Sequence, residues 1–434
     1  MIHCLIKYFT RLFVLFAAIQ LCAYDSFDEY YYESYYNRIF NIDSVTIRSS
    51  YLYPNFEFST SDYLHPIKAS FRYKERGNFR IDGETQVNFS ENMHLFWHYR
   101  IADSPLMLDG YVGKKRNSIG DIRADFLSSA LVFDNEYMTL SFNRGRIETS
   151  QFGENMMINA HNYISDNVIL LLHNEDYSFD NVIMFLQPVD GLSKAIVYHR
   201  YGYVKDTYKI GFSDLSVFTF TGFNSISYKY FAPYSFLYEV EENYSGSSNI
   251  MWRFDFSYIW GNNMLWAEIL IDDYALSRQS PSKLGGMIGF RNMIGQYPLI
   301  TTLTKINRWV YNYGYDKPEL KFIDLDRPLG HSIGPDAVQL SISSKVKFKT
   351  NSVLYELFPE IKLVAHGEGS LLEDTPVPSG QDYGYYKQRF ITGEIDYSAE
   401  VRLFSVIGYG SYKFKAIYTY RHISNIELLL QYNW

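Results

Sequence analysis

The sequence predicts an all-β fold, a transmembrane antiparallel outer-membrane β-barrel of about 18 strands, with 16 as the alternative. Three observations predict it. Long segments alternate apolar and polar residues, with an aromatic-rich apolar face. Aromatic residues make up 18% of the 434-residue chain, with 41 tyrosines, which suits girdles at two membrane interfaces better than a soluble core. The chain opens on a secretory leader, and no later apolar run reaches the roughly 18 residues of a membrane helix.

The leader is residues 1–23. Lys7 and Arg11 precede the apolar run "LFVLFAAIQLCA", and small Ala23 follows at the spacing a signal peptidase reads. Cys4 and Cys22 both fall inside it, so the exported chain is expected to carry no disulfide and no thiolate-bound metal. Residues 24–43, "YDSFDEYYYESYYNRIFNID", form a short N-terminal periplasmic segment long enough for one helix. Residues 44–434 are read as one barrel domain. The net charge of −8 argues against nucleic acid as a partner.

Alternation places the strands. In "MWRFDFSYIW", Trp252, Phe254, Phe256, Tyr258 and Trp260 share one face, and Arg253, Asp255 and Ser257 the other. The same reading holds for 93–101, 339–348 and 412–420. Further strands are expected at 68–75, 122–133, 137–147, 194–203, 207–221, 264–273, 287–294, 389–404 and 426–434. Turns are expected at 165–167, 261–263 and 379–384, and surface loops at 315–338 and 366–388. "EDYSFDN" (175–181) lacks the glycine of a calcium loop and is read as a loop. At roughly 22–25 residues per strand and connection, the chain holds roughly 16–18 strands. A closed barrel has no edge, so the last strand must pair with the first. The segment 426–434 alternates and ends on Trp434, the form of signal that barrel-assembly machinery reads.

Chemistry-bearing residues are sparse. The ten histidines show no metal spacing, and no nucleophile elbow occurs, so no enzyme activity, no cofactor and no metal are expected. Asp272 and Asp273 are adjacent on a strand and point to opposite faces; one is expected in the lumen, paired with an arginine. The segment 305–337 gathers Arg308, Trp309, Tyr311, Tyr313, His331 and Asp336 among the turn residues Pro328, Gly330, Gly334 and Pro335. Aromatic faces beside guanidinium and carboxylate groups suit a sugar surface. The alternative is that these turns brace a loop against the barrel wall. Charged alternate positions (Lys345, Lys347, Lys413, Lys415) leave a porin or substrate channel as the competing function.

"RPLGHSIGPDA" (327–337), following "INRWVYNY" (306–313), resembles the capsule-assembly outer-membrane proteins of the Wzi type. "NRGRIETSQFGEN" (143–155), "YHRYGY" (198–203), "SNIMWRFDFSY" (248–258) and "WAEILIDDY" (266–274) fit in the same order, so the resemblance covers about residues 140–340. It implies an 18-stranded outer-membrane lectin that holds capsular or other exopolysaccharide on the cell, in contact with outer-membrane lipid. It carries the family's motif positions onto Gly145, Arg146, Asp272, Asp273, Arg308, Trp309, Tyr311, Pro328, Leu329, Gly330, His331, Gly334 and Asp336. Family members can carry a helical bundle ahead of the barrel; residues 24–43 are too short for one.

Overall fold

The computed structural model describes residues 53–54, 70–71, 80–102, 123–145, 147–148, 154–159, 165–222, 230, 232, 235–244, 248–273, 281–313, 317–324, 327–350, 353–373, 390–409, 412–421 and 423–432. The leader, the 24–43 segment, Arg146 and the 379–384 turn lie outside them.

The wall is a closed antiparallel barrel. Its strands are β1 (Ser70–Phe71), β2 (Arg80–Ser90), β3 (Met93–Ala102), β4 (Arg123–Asp134), β5 (Met138–Gly145), β6 (Ser165–His173), β7 (Tyr177–Val189), β8 (Leu192–Lys205) and β9 (Tyr208–Phe220). After helix α1 (Leu237–Tyr244) come β10 (Ser248–Trp260), β11 (Asn263–Asp273), β12 (Lys283–Ile294) and β13 (Tyr297–Ile306). β14 is Ala337–Ser344 continued by Val346–Thr350; both halves pair with β15 (Val353–His366). β16 (Asp396–Tyr409), β17 (Tyr412–Arg421) and β18 (Ile423–Tyr432) complete the wall. β18 pairs with β17 on one side and β1 on the other, Ser70 opposite Gln431 and Phe71 opposite Leu430. The last strand thus meets the first.

The predicted faces are realised on β10. Phe254, Phe256, Tyr258 and Trp260 are exposed on the outside, while Arg253, Asp255 and Ser257 are buried in the lumen. This inverts a soluble protein, because lipid rather than a core receives the apolar face. Connections at one end are mostly long (102–123, 145–165, 220–248, 273–283, 306–337, 366–396), and at the other end short. Hairpin turns use φ > 0 where the sheet twist demands it: Asp190 and Gly191 both adopt it between β7 and β8, and Gly261 between β10 and β11.

Three expectations fail for one physical reason each, and one helix was not expected. Residues 165–167 are not a turn but the start of β6; Ser165 and Asn167 face the lumen, and Asp166 pairs with Arg144 across the strands at 2.7 Å. "EDYSFDN" is a tight turn running into β7, with Ser178 and Asp180 buried on the lumen face. A barrel strand keeps a polar face inside, so polar clusters imitate loops. The 315–338 stretch is not a surface loop, because Leu320, Phe322 and Leu329 are buried. Helix α1, eight residues long, is too short to show a helical period.

The lumen also differs from a simple water-filled one. The connections 145–165 and 306–337 turn inward, and Ile147, Met156, Met157, Val310, Phe322 and Leu329 form one apolar cluster with the wall residues Met184, Ile196, Leu215, Met251 and Leu270.

Candidate functional site

Tyr311 is the joint of the inward loops. It follows β13 with φ of 72°, and Trp309 two residues earlier has φ of 67°, a conformation that bulky residues adopt only when their surroundings impose it. The surroundings are visible. The Tyr311 amide donates to Asp272 Oδ2 at 2.6 Å, and its hydroxyl donates to the Met156 carbonyl at 2.6 Å. The same hydroxyl accepts from the His331 amide at 3.1 Å. Its ring packs on Phe322 and lies over Gly330, where an added Cβ would stand 2.5 Å from ring atoms. Glycine there is a requirement of close approach.

Asp272 is the inward member of the acidic pair. Lys283 lies 3.9 Å from its carboxylate, and its Nζ also donates to the Asn312 carbonyl at 2.9 Å. β11 and β12 neighbour each other, so a lysine on the next strand reaches the carboxylate directly.

A second cluster joins the two loops to the wall. Glu154 binds Lys362 of β15 at 2.9 Å, receives the Ser332 hydroxyl at 2.6 Å, and lies 3.3 Å from His331 Nδ1. Burial works to raise the Glu154 pKa, but Lys362, His331 and Ser332 outweigh it and hold the carboxyl well below the usual range. Burial pushes His331 below its ordinary value, with Glu154 opposing and Lys362 adding to the fall. Ser332 donates to Glu154 and not to His331, so the adjacent pair does not form a nucleophile and base.

Nearer the long-loop rim, Arg308 forks onto Glu373 (Nε–Oε2 2.9 Å, Nη2–Oε1 2.6 Å), donates to Thr392 Oγ1 at 3.0 Å, and lies 5.1 Å from the Trp309 ring centroid. The fork with Glu373 raises the Arg308 pKa against the lesser effect of burial. Asp336, with φ of 56°, accepts from the amides of Gly369 at 3.0 Å and Thr392 at 3.1 Å, and from the Thr392 hydroxyl. Gly367 and Gly369 leave room for its carboxylate.

Six predicted residues therefore converge on one assembly: Asp272, Arg308, Trp309, Tyr311, His331 and Asp336. Trp309, Tyr311, His331 and Asp336 are each at most 3% exposed, so they hold the loops together. Arg308 is half-buried and reaches the rim; Tyr313 is half-buried too. Asp273 is placed in β11 opposite Lys283, and its side chain, like all of Arg146, lies outside the described residues.

Sequence reasoning missed Glu154, Lys362, Glu373 and Thr392. It placed Arg253 and Asp255 on the lumen face but missed their partners in a charged layer on β7–β11. There Arg200 forks onto Asp255 (3.1 and 2.8 Å) with Asp180 at 3.8 Å, and Arg253 approaches Asp255 and Glu268, each at 3.7 Å. Glu268 in turn accepts the Met156 amide at 3.0 Å, which seats the inward loop on this layer. The paired glycines Gly202 and Gly211 let the Arg200 guanidinium lie flat against the wall. Alternating charge on strands was the available signal; which strands meet was not.

No protein-family model matches the chain, and no curated protein is similar to it in sequence. Solved structures do resemble it. Wzi of Escherichia coli, described as an outer-membrane protein involved in group 1 capsule assembly and a carbohydrate-binding β-barrel, aligns at a TM-score of 0.52 and 11% identity, over 86% of this chain and 82% of that one. OpdK of Pseudomonas aeruginosa, an outer-membrane protein, aligns at 0.44 and 8% identity, over 84% and 96%. OccK5 of the same organism aligns at 0.43 and 9%, over 85% and 96%. The chain is an outer-membrane β-barrel. In this outer-membrane barrel the inward loops and the rim around Arg308 sit at the long-connection end, which such barrels present to the outside of the cell.

Proposed function

We propose that this outer-membrane barrel binds capsular or extracellular polysaccharide at the cell surface and helps assemble or retain it there, as a non-enzymatic lectin of the Wzi type. One observation carries the reading. Two long connections fold into the lumen and build an apolar layer with the wall, locked by Tyr311, Glu154 and Asp336. A barrel filled in this way offers its long-loop rim, not a water path, as the working surface. The half-buried Arg308–Glu373 pair supplies the charged partners that sugar hydroxyls need. The "RPLGHSIGPDA" resemblance and the likeness of fold to Wzi support the same choice. Export by the 1–23 leader and recognition of residues 426–434 by barrel-assembly machinery belong to this reading.

The test is made on cells. The gene is deleted and complemented with wild type or Arg308→Ala, and cell-bound and released polysaccharide are quantified. Wild type restores retention, and Arg308→Ala restores it incompletely while the barrel reaches the outer membrane. Unchanged partition, together with steady conductance of the purified barrel in planar bilayers, makes the protein a channel and removes the lectin reading.

A further inference from the structure

The outer wall carries an anomaly away from the lumen. Asn181, His199, Asp214 and Trp252 are successive cross-strand partners on β7, β8, β9 and β10. Alternation puts all four on the outward face, since their neighbours Asp180, Arg200, Ser213 and Arg253 belong to the lumen. An outward Asn–His–Asp row belongs poorly against lipid. Yet Asn181, His199 and Asp214 are buried.

The cover is the connection between β9 and β10. Leu237 and Val240 of α1, with Tyr230, pack on the outward Ala195, Val197, Phe218 and Phe220. Tyr230 stacks on Phe218 at 4.4 Å. Asp214 Oδ2 accepts the Leu237 amide at 2.6 Å and so caps the helix from the wall. The helix therefore lies outside the barrel, along its side.

Its depth follows from the register. Below the polar row come four outward rows: Tyr201–Phe212–Phe254, Tyr203–Ile210–Phe256, Tyr208–Tyr258, and Trp260. Tilted strands advance about 5 Å along the barrel axis per outward row, so the Trp260 row lies roughly 20 Å below the polar row, close to the height of the apolar band of an outer-membrane barrel. The polar row and α1 then stand at the outer-leaflet boundary. Two side chains of the connection reach back over that boundary. Phe236 lies 6.0 Å from Tyr201 and 6.3 Å from Phe212, and Tyr238 lies 5.9 Å from Trp252. Both remain about half exposed, at 48% and 49%, and continue the aromatic surface of the wall. Glu239, next in sequence, is exposed as well.

We propose that α1 is an interfacial anchor docked on the outer leaflet of the membrane, with Phe236 and Tyr238 in the lipid boundary, Glu239 in water, and Asp214 as the clasp that holds the helix to the wall. The partner is a lipid surface, reached by continuity with the lipid-facing band.

Spin labels test it. Cys4 and Cys22 are replaced by serine, so each of Phe236→Cys, Tyr238→Cys and Glu239→Cys carries a single thiol. The barrels are folded into phosphatidylcholine vesicles, folding is checked by heat-modifiable migration, and collision with oxygen and with a water-soluble nickel chelate is measured. Labels at 236 and 238 favour oxygen severalfold more than the label at 239. Adding Asp214→Ala, which removes the acceptor of the Leu237 amide, shifts the 236 and 238 labels toward the nickel reagent. Folded barrels in which 236 and 238 match the aqueous profile of 239 overturn the proposal, as does an Asp214→Ala barrel with unchanged profiles at both sites.

Discussion

The hydroxyl of Tyr311 and the carbonyl of Met156 meet at 2.6 Å, and this contact ties the 306–337 connection to the 145–165 connection inside the barrel. The same oxygen accepts the His331 amide. Tyr311→Phe keeps the ring on Phe322 and removes both bonds, leaving two buried backbone groups unmatched. The expected loss is about 1–3 kcal/mol. Urea unfolding of the detergent-solubilised barrel, followed by tryptophan fluorescence, measures it.

Gly330→Ala places a methyl group against the Tyr311 ring. The ring is fixed by its hydroxyl bonds and cannot swing away. Overpacking of this kind costs about 1–3 kcal/mol. In a Tyr311→Ala background the added cost of Gly330→Ala falls toward zero, because the two residues share the contact. A double-mutant cycle on unfolding midpoints shows the coupling.

Trp309 and Arg308 are neighbours with opposite expected phenotypes. Trp309 is buried, so Trp309→Ala costs about 3–5 kcal/mol and lowers barrel yield. Arg308 keeps 20% of its side chain exposed in its fork with Glu373, so Arg308→Ala costs less, about 1–3 kcal/mol of stability. If the rim binds glycan, Arg308→Ala lowers retention in a normally folded barrel, whereas Trp309→Ala lowers retention and yield together. Outer-membrane abundance and cell-bound polysaccharide, measured on the same cells, separate the two.

Acid should release the inward loops in two stages. The folded-state pKa of His331 lies below its ordinary 6.5, so the unfolded state binds the extra proton first; its contribution is complete above about pH 6.5 and is lost as pH falls toward the folded value. Glu154 lies below its ordinary 4.5, so its contribution is complete above that pH and is lost on further acidification. Protease nicking of the 145–165 connection is expected to rise below pH 6.5 and more steeply below 4.5. His331→Asn flattens the first stage and leaves the second.

The outward aromatic rows were legible because lipid imposes a strict period of two, as on β10 and the first half of β9. β2, β6, β7, β13 and β15 were not among the expected strands; on β6 and β7, Ser165, Asn167 and Asp180 give the lumen face the composition of a turn. At the site, the segment containing Arg308, Tyr311 and His331 stood out through its glycines and aromatics. Its mode of use did not. Whether Tyr311 points out to a ligand or in to Met156 depends on a contact 155 residues away in sequence, and no local pattern encodes that. Glu154 and Lys362 escaped for the same reason: each is an ordinary charge until the 145–165 connection turns inward.

The seam between Ser70–Phe71 and β18 has a consequence for how the molecule is made. It joins the two ends of the wall, so the contact of greatest sequence separation is also the one that completes the ring. Ring completion must wait for the final residues, and the loop entropy paid there makes it a slow step. A chain stopped short of Ile423 has nearly every hairpin it needs, yet remains an open curved sheet with two unpaired borders, which is a template for aggregation.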